Sequence, residues 1–258
     1  MVHIRLQDVS VLRSPEAAPP PGDTATFRDS TSEPILHPLT LTLEEPRIAV
    51  VGANGSGKST LLKLLNGLLA PDTGTVTVDG LDTVRHGSRV RRRVGFVFTD
   101  PLSQLVMPTG RDDVELSLRS TIRSRPERRA AAEARLGAMG LLHLADRSIY
   151  DLSGGERQLM ALASVLAVDP DVLVADEPST LLDLRNTAAL RRTFADLPQQ
   201  IIYTTHDLDF AADASRILVV DGGRIVFDGA PDAALGAYRA LALGFDSGPV
   251  PRSPGNRA

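Results

Sequence analysis

The segment RIAVVGANGSGKSTLLKLL, Arg47 to Leu65, narrows the fold more than any other stretch of the chain. A short apolar run leads into Gly52-Ala53-Asn54-Gly55-Ser56-Gly57-Lys58-Ser59, which fits G-x-x-x-x-G-K-[ST] in full. Thr60 then continues into an apolar-periodic helix. The pattern requires a strand before it and a helix after it, and both are predicted. The glycines let backbone N–H groups turn inward around phosphate oxygens, and the helix N-terminus adds partial positive charge. Lys58 brings a point charge to the β- and γ-phosphates, and the Ser59 hydroxyl is a neutral oxygen ligand for Mg²⁺. The plainer alternative, a glycine-rich turn with an incidental lysine, does not account for the flanking strand and helix. Residues 52–60 are therefore expected to hold a nucleoside triphosphate.

DVLVADEP places two carboxylates at the end of a buried strand. Asp176 is expected beside the Mg²⁺, contacting it through water. Glu177, facing differently on an extended segment, is placed to polarise an attacking water as a general base. An acidic cap after a strand is the alternative. QIIYTTHD is a further core strand whose C-terminal end opens on the same crevice, so His206 is read as a catalytic contact to the γ-phosphate.

Strands and helices alternate through the second half of the chain, which implies an α/β fold with a mostly parallel sheet. HIRLQDVSVL and LHPLTLTL read as N-terminal strands, separated by a Pro/Ser/Thr/Asp-rich loop. STLLKLLNGLLA is a helix expected to stop at Pro71, and TVTVDG is a strand. A mainly helical region runs from about residue 100 to 168, with a further helix around 182–197. RILVVDGGRIVFDG is a hairpin. Residues 1–245 are expected to form one domain and 246–258 an unstructured tail.

With 258 residues, 42% of them hydrophobic, the chain can bury a full core. Cysteine is absent and the five histidines are scattered, which removes disulfides and thiolate metal sites. A net charge of −4 argues against a protein built to bind nucleic acid, despite RVRRR at 89–93 and the Arg123–Arg129 cluster. No apolar run reaches membrane-spanning length and the N-terminus is too polar for a signal peptide, so a cytoplasmic location is expected.

DLSGGERQ adds a second glycine loop at the start of a helix. Ser153 stands at the N-cap with Glu156 three residues on, a capping-box spacing. Gly154 and Gly155 cost helix stability there but permit close approach of an anion to free N–H groups.

The order VGANGSGKST, DLSGGERQ, VLVADEPSTLLD, TTHD resembles the ATP-binding cassette ATPases over nearly the whole chain. That resemblance implies a P-loop NTPase (RecA-like) core, an N-terminal antiparallel β subdomain and an inserted helical subdomain carrying LSGGERQ. It implies two cassettes paired head to tail, this chain with itself or with a sister subunit. Each ATP is then held between one P-loop and the partner's Ser153, Gly154, Gly155 and Gln158, with Mg²⁺ as cofactor. Asp183 corresponds to the aspartate that communicates across the interface. LLNGLLAPDTGTVTVDGLDT, FVFTDP, QLVMPT and EPSTLLDLRN further resemble the ATPases of energy-coupling factor (ECF) vitamin importers, those for biotin in particular. This implies a transmembrane coupling subunit and a substrate-binding membrane subunit as partners, no nucleic acid, and a place on the inner face of the cell membrane.

Two positions depart from the family pattern. Thr99 stands where a glutamine reaches the metal, and its shorter hydroxyl is a candidate Mg²⁺ ligand. Gln104, five residues on, is assigned to the surface that couples to the membrane partner. The aromatic ring that stacks on adenine is missing at its usual spacing. Phe27 is the candidate for it, with Arg13 as the alternative.

Overall fold

In the computed structural model, which describes residues 2–13 and 33–244, two sheets pack around a shared core. The larger has six strands in the order β10-β9-β3-β8-β7-β6. They are β3 (Arg47–Val51), β6 (Val94–Val97), β7 (Val172–Ala175), β8 (Gln200–Thr204), β9 (Arg216–Asp221) and β10 (Arg224–Gly229). All pairings are parallel except the β9–β10 hairpin. Strands β7 and β8 are buried along their whole length, as parallel strands covered on both faces must be.

The smaller sheet is antiparallel, ordered β2-β1-β4-β5, from β1 (Ile4–Leu12), β2 (Pro34–Leu43), β4 (Thr73–Val78) and β5 (Leu81–Asp82). The alternation read in β1 changes phase part-way. Asp8 adopts φ 48° and the register shifts between Leu6 and Val9, so Val9, Ser10 and Val11 are all buried.

Helix α1 (Lys58–Leu65) follows β3, but it ends before Pro71. Gly67, at φ 69°, donates to the Leu64 carbonyl and Leu68 N–H reaches the Lys63 carbonyl, a Schellman stop. A Cβ at Gly67 would lie 2.5 Å from the Thr83 carbonyl oxygen, so no other residue fits the stop. Helix α2 (Gly87–Arg93) carries the basic run, and Arg93 is engaged on both sides, 2.6 Å from Asp79 and 2.6 Å from Asp171.

The helical subdomain is built from α3 (Gly110–Ser117), α4 (Arg125–Ala138) and α5 (Gly154–Leu166). Its own core joins Val114, Leu118, Ala132, Leu136, Leu144 and Met160. Helix α5 belongs to two cores at once, because Leu162 packs instead with the sheet residues Leu173 and Tyr203. Helices α6 (Leu184–Asp196), α7 (Leu208–Ala211) and α8 (Pro231–Ala242) cover that same face. Helix α8 has no counterpart in the sequence reading. Among the described residues, no helix is long and apolar enough to cross a membrane.

One ion-pair cluster ties the two sheets together. Arg216 binds Asp228 through a two-point contact of 2.6 Å each and Glu45 at 2.9 Å, and donates to the Thr42 carbonyl. Replacing Arg216 by leucine leaves two half-buried carboxylates facing each other, and is expected to cost about 2 kcal/mol after solvent screening. A urea midpoint unchanged from wild type would show the cluster to be decorative.

Candidate nucleotide site

Residues 52–57 form the loop between β3 and α1, at the C-terminal end of the parallel strands. Ala53, Asn54 and Gly55 are exposed at its rim, while Gly52, Ser56, Gly57 and Lys58 are buried at its floor. The β9–β10 turn braces it, since Gly223 donates to the Ser56 carbonyl at 3.0 Å and His37 N–H donates to the Gly223 carbonyl. Ser56 Oγ is buried with no hydrogen-bond partner, a polar atom left for something the cradle would receive.

Lys58 turns its ammonium onto the Gly52 and Ala53 carbonyls at 2.8 and 2.9 Å. Burial draws its pKa below the ordinary lysine value, against the carboxylates of Glu177 and Asp176, which favour the charged form. An anion arriving in the loop adds to the carboxylates' side of that balance. Thr60 sits half-buried in the first turn of α1.

Asp176, at the end of β7, is 6% exposed and accepts hydrogen bonds on one oxygen from Ser59 Oγ (3.0 Å) and Thr204 Oγ1 (2.8 Å). Thr204 in turn accepts the Glu177 N–H at 2.7 Å. The Glu177 side chain lies 2.6 Å from His206 Nε2 through one oxygen and accepts from Thr180 Oγ1 at 2.8 Å on the other. Lys58, Ser59, Asp176, Glu177 and His206, named from three separate motifs, thus meet in one crevice. Thr204 and Thr180 were not anticipated. A polar residue closing the buried strand after Ile201, Ile202 and Tyr203 was the available signal for Thr204.

Thr99 lies two residues past the end of β6, half-buried, and its hydroxyl makes no hydrogen bond among the described residues. Gln104 uses both ends of its amide inside the chain, accepting from Phe98 N–H (3.3 Å) and donating to the Ala161 carbonyl (3.1 Å). Gln158, expected to contact a partner's nucleotide, is 2% exposed and donates to the Phe98 carbonyl at 3.3 Å within its own subunit. As the fifth residue past the N-cap of α5 it points into the subunit, and together with Gln104 it straps the segment after β6 to α5.

Ser153 is exposed at the start of α5, with the full capping box in place: it accepts the Glu156 N–H, and the Glu156 carboxylate accepts the Ser153 N–H and hydroxyl, each at 2.8 Å. Those Ser153 hydrogen bonds hold the Glu156 carboxyl below the usual carboxylate range. The close approach that Gly155 permits is to its own chain, where an added Cβ would lie 3.2 Å from Leu182 Cδ2. Asp183 caps α6, accepting the Asn186 N–H at 2.8 Å, and Leu184 beside it is 91% exposed. Arg13 follows the last residue of β1 with its N–H on the Glu33 carbonyl, and Phe27 lies outside the described residues.

The sequence profile of the ABC transporter family matches residues 36–180, more than half of the chain. The Biotin transport ATP-binding protein BioM of Rhizobium etli is 44% identical over 207 residues, 80% of this chain and 92% of that protein. The Energy-coupling factor transporter ATP-binding protein EcfA1 of Halalkalibacterium halodurans is 40% identical over 189 residues, 71% of this chain and 68% of that protein. Among solved structures, a dimeric ATP-binding cassette in a post-hydrolysis state, bound to ADP and Pi, superposes with a TM-score of 0.75. It is 26% identical, over 88% of this chain and 98% of that one. The chain belongs to the ABC transporter family, as one of its ATP-binding, ATP-hydrolysing cassettes.

Proposed function

We propose that this cassette is the motor subunit of an ECF-type importer that brings biotin into the cell. It works on the inner face of the membrane against a transmembrane coupling subunit and a substrate-binding membrane subunit. Two cassettes pair head to tail, with itself or with a sister chain, so that each ATP lies between residues 52–60 of one and Ser153, Gly154 and Gly155 of the other. The observation that supports turnover best is the Glu177 carboxylate, set between His206 and Thr180 next to Asp176. The likeness to BioM supports the choice of vitamin.

Mg²⁺ suits the oxygen donors present. The Ser59 hydroxyl and Asp176 carboxylate are already 3.0 Å apart, with the Thr99 hydroxyl as a further donor. When bound, the ion offsets phosphate charge. Among the described residues no group of three His or acidic side chains would hold a metal by itself, and Ser59 and Asp176 would share the ion with oxygens of the nucleotide and of water.

The chain's own groups divide the work. Lys58 exchanges two neutral carbonyls for phosphate oxygens, which strengthens its hydrogen bonds. Glu177 takes the proton of the attacking water, and His206, 41% exposed, is reachable from the nucleotide side while Glu177 at 16% is shielded. Asp183 and the exposed Leu184 meet the second cassette.

Uptake of labelled biotin by cells making this chain with its neighbouring membrane proteins tests the reading. Accumulation is expected with wild type and its loss with Lys58→Ala. ATP hydrolysis without biotin uptake would overturn the vitamin assignment and leave the cassette.

A further inference from the structure

Glu177 holds φ at +50°, in the left-handed region that a residue with a side chain keeps only when its surroundings impose it. Its N–H is fixed on Thr204, but that leaves the carboxyl group free to turn. The last torsion of a glutamate is broad and roughly two-fold, so contact with His206 through one oxygen does not fix the plane of the group. A second contact on the other oxygen does, and Thr180 supplies it at 2.8 Å.

The local chain delivers that hydroxyl. Glu177-Pro178-Ser179-Thr180 is a turn closed by the Thr180 N–H on the Glu177 carbonyl at 3.2 Å, with proline at its second position fixing φ. The turn folds residue 180 back over residue 177. Thr180 itself is exposed, so nothing in the packing depends on its hydroxyl. The following residue, Leu181, lies beside the first turn of α5: a Cβ at Gly154 would be 3.6 Å from Leu181 Cβ and 4.0 Å from Leu181 Cδ1, the atom that Leu181→Ala removes.

We propose that Thr180 is a positioning residue for ATP hydrolysis: its hydroxyl sets the plane of the Glu177 carboxylate, and through Leu181 that plane follows the position of the α5 N-terminus within the same subunit. The inference rests on the reading of Glu177 as the base. It makes the Ser-Gly-Gly turn of a subunit an influence on that subunit's own carboxylate, in addition to any contact with a partner's nucleotide.

Steady-state ATP hydrolysis by the full-length chain tests it, with Thr180→Val, Thr180→Ser, Leu181→Ala, the Thr180→Val/Leu181→Ala double variant and Glu177→Gln side by side. Thr180→Val is expected to lower kcat about tenfold with KM for ATP unchanged, because orientation is lost and binding is not. Thr180→Ser keeps the hydroxyl and is expected to stay near wild type. Leu181→Ala is expected to lower kcat in the wild-type chain and to add nothing to Thr180→Val. Wild-type turnover in Thr180→Val while Glu177→Gln fails would overturn the positioning role, and so would an equal loss in Thr180→Ser. Additive losses for residues 180 and 181 would overturn the link to α5. Full activity in Glu177→Gln would remove the base itself, and this inference with it.

Discussion

Glu177→Gln is expected to lower ATP turnover by about two to four orders of magnitude while leaving ATP binding in place. Glutamine keeps the length of the side chain, and its amide oxygen can still accept the Thr180 hydroxyl, so the geometry at the end of β7 survives. What it loses is basicity, since a neutral amide does not take a proton from water. The change also removes one of the two carboxylates that favour a charged Lys58. Asp176 remains, is more deeply buried, and still receives Ser59 and Thr204. The affinity for ATP is therefore expected to shift by only a few-fold. A paired cassette that binds but cannot hydrolyse should also stay paired, because ligand binding favours the closed state and nothing removes the ligand. Size-exclusion chromatography with ATP is expected to show a persistent dimer for Glu177→Gln and a transient one for wild type. Turnover within threefold of wild type would remove Glu177 from the chemistry.

The parts of this site that could be read in advance share one property: each is a short motif whose chemistry is local. Strand β3, the loop at 52–57 and helix α1 follow one another without a break, so spacing alone placed Lys58 and Ser59. Asp176 and His206 were placeable because both lie just past buried strands, and parallel strands bring such ends to one edge of the sheet. Side-chain direction was less accessible. Gln158 sits between the half-buried Arg157 and Leu159, and only the helix phase and the position of Phe98 sixty residues away show that it turns inward. The Thr180 contact depends on a turn whose closure is invisible without backbone coordinates. Likewise α1 stops at Gly67 because Thr83 lies against it, a neighbour that residues 58–71 do not announce. Pro71 looked like the natural stop because a proline cannot continue a helix, whereas a glycine alone does not compel one to end. Helix α8 begins with Pro231 at its first turn and buries only Ala234 and Leu235 fully, too small an apolar stripe to stand out by period.

Arg47 has the largest predicted role of any residue that no motif singled out. It opens β3, and its guanidinium donates to the carbonyls of Phe194 (2.8 Å), Gln199 (2.8 Å), Leu197 and its own neighbour Pro46 (2.8 Å). Phe194 lies in the last turn of α6 and Leu197 follows its end, where helix carbonyls have no partner within the helix and the dipole is negative. Arg47 is thus a C-cap supplied by a distant strand. Burial draws its pKa below the ordinary arginine value, yet the group stays charged, and its planar fork covers several acceptors at once. The consequence reaches the site, because Asp183 caps the start of α6 and β3 ends at the loop of residues 52–57. One side chain therefore fixes the C-terminal end of α6 to the start of the strand that leads into residues 52–57. Arg47→Ala leaves those carbonyls half-buried without donors and is expected to cost about 3 kcal/mol, which lowers Tm by roughly 6–12 °C in a chain of this size. Arg47→Lys is expected to recover less than half of the loss, since a single ammonium cannot span the acceptors. Thermal and urea unfolding of the two variants measure this directly, and a loss below about 0.5 kcal/mol for Arg47→Ala would show that solvent caps α6 as well as the arginine does.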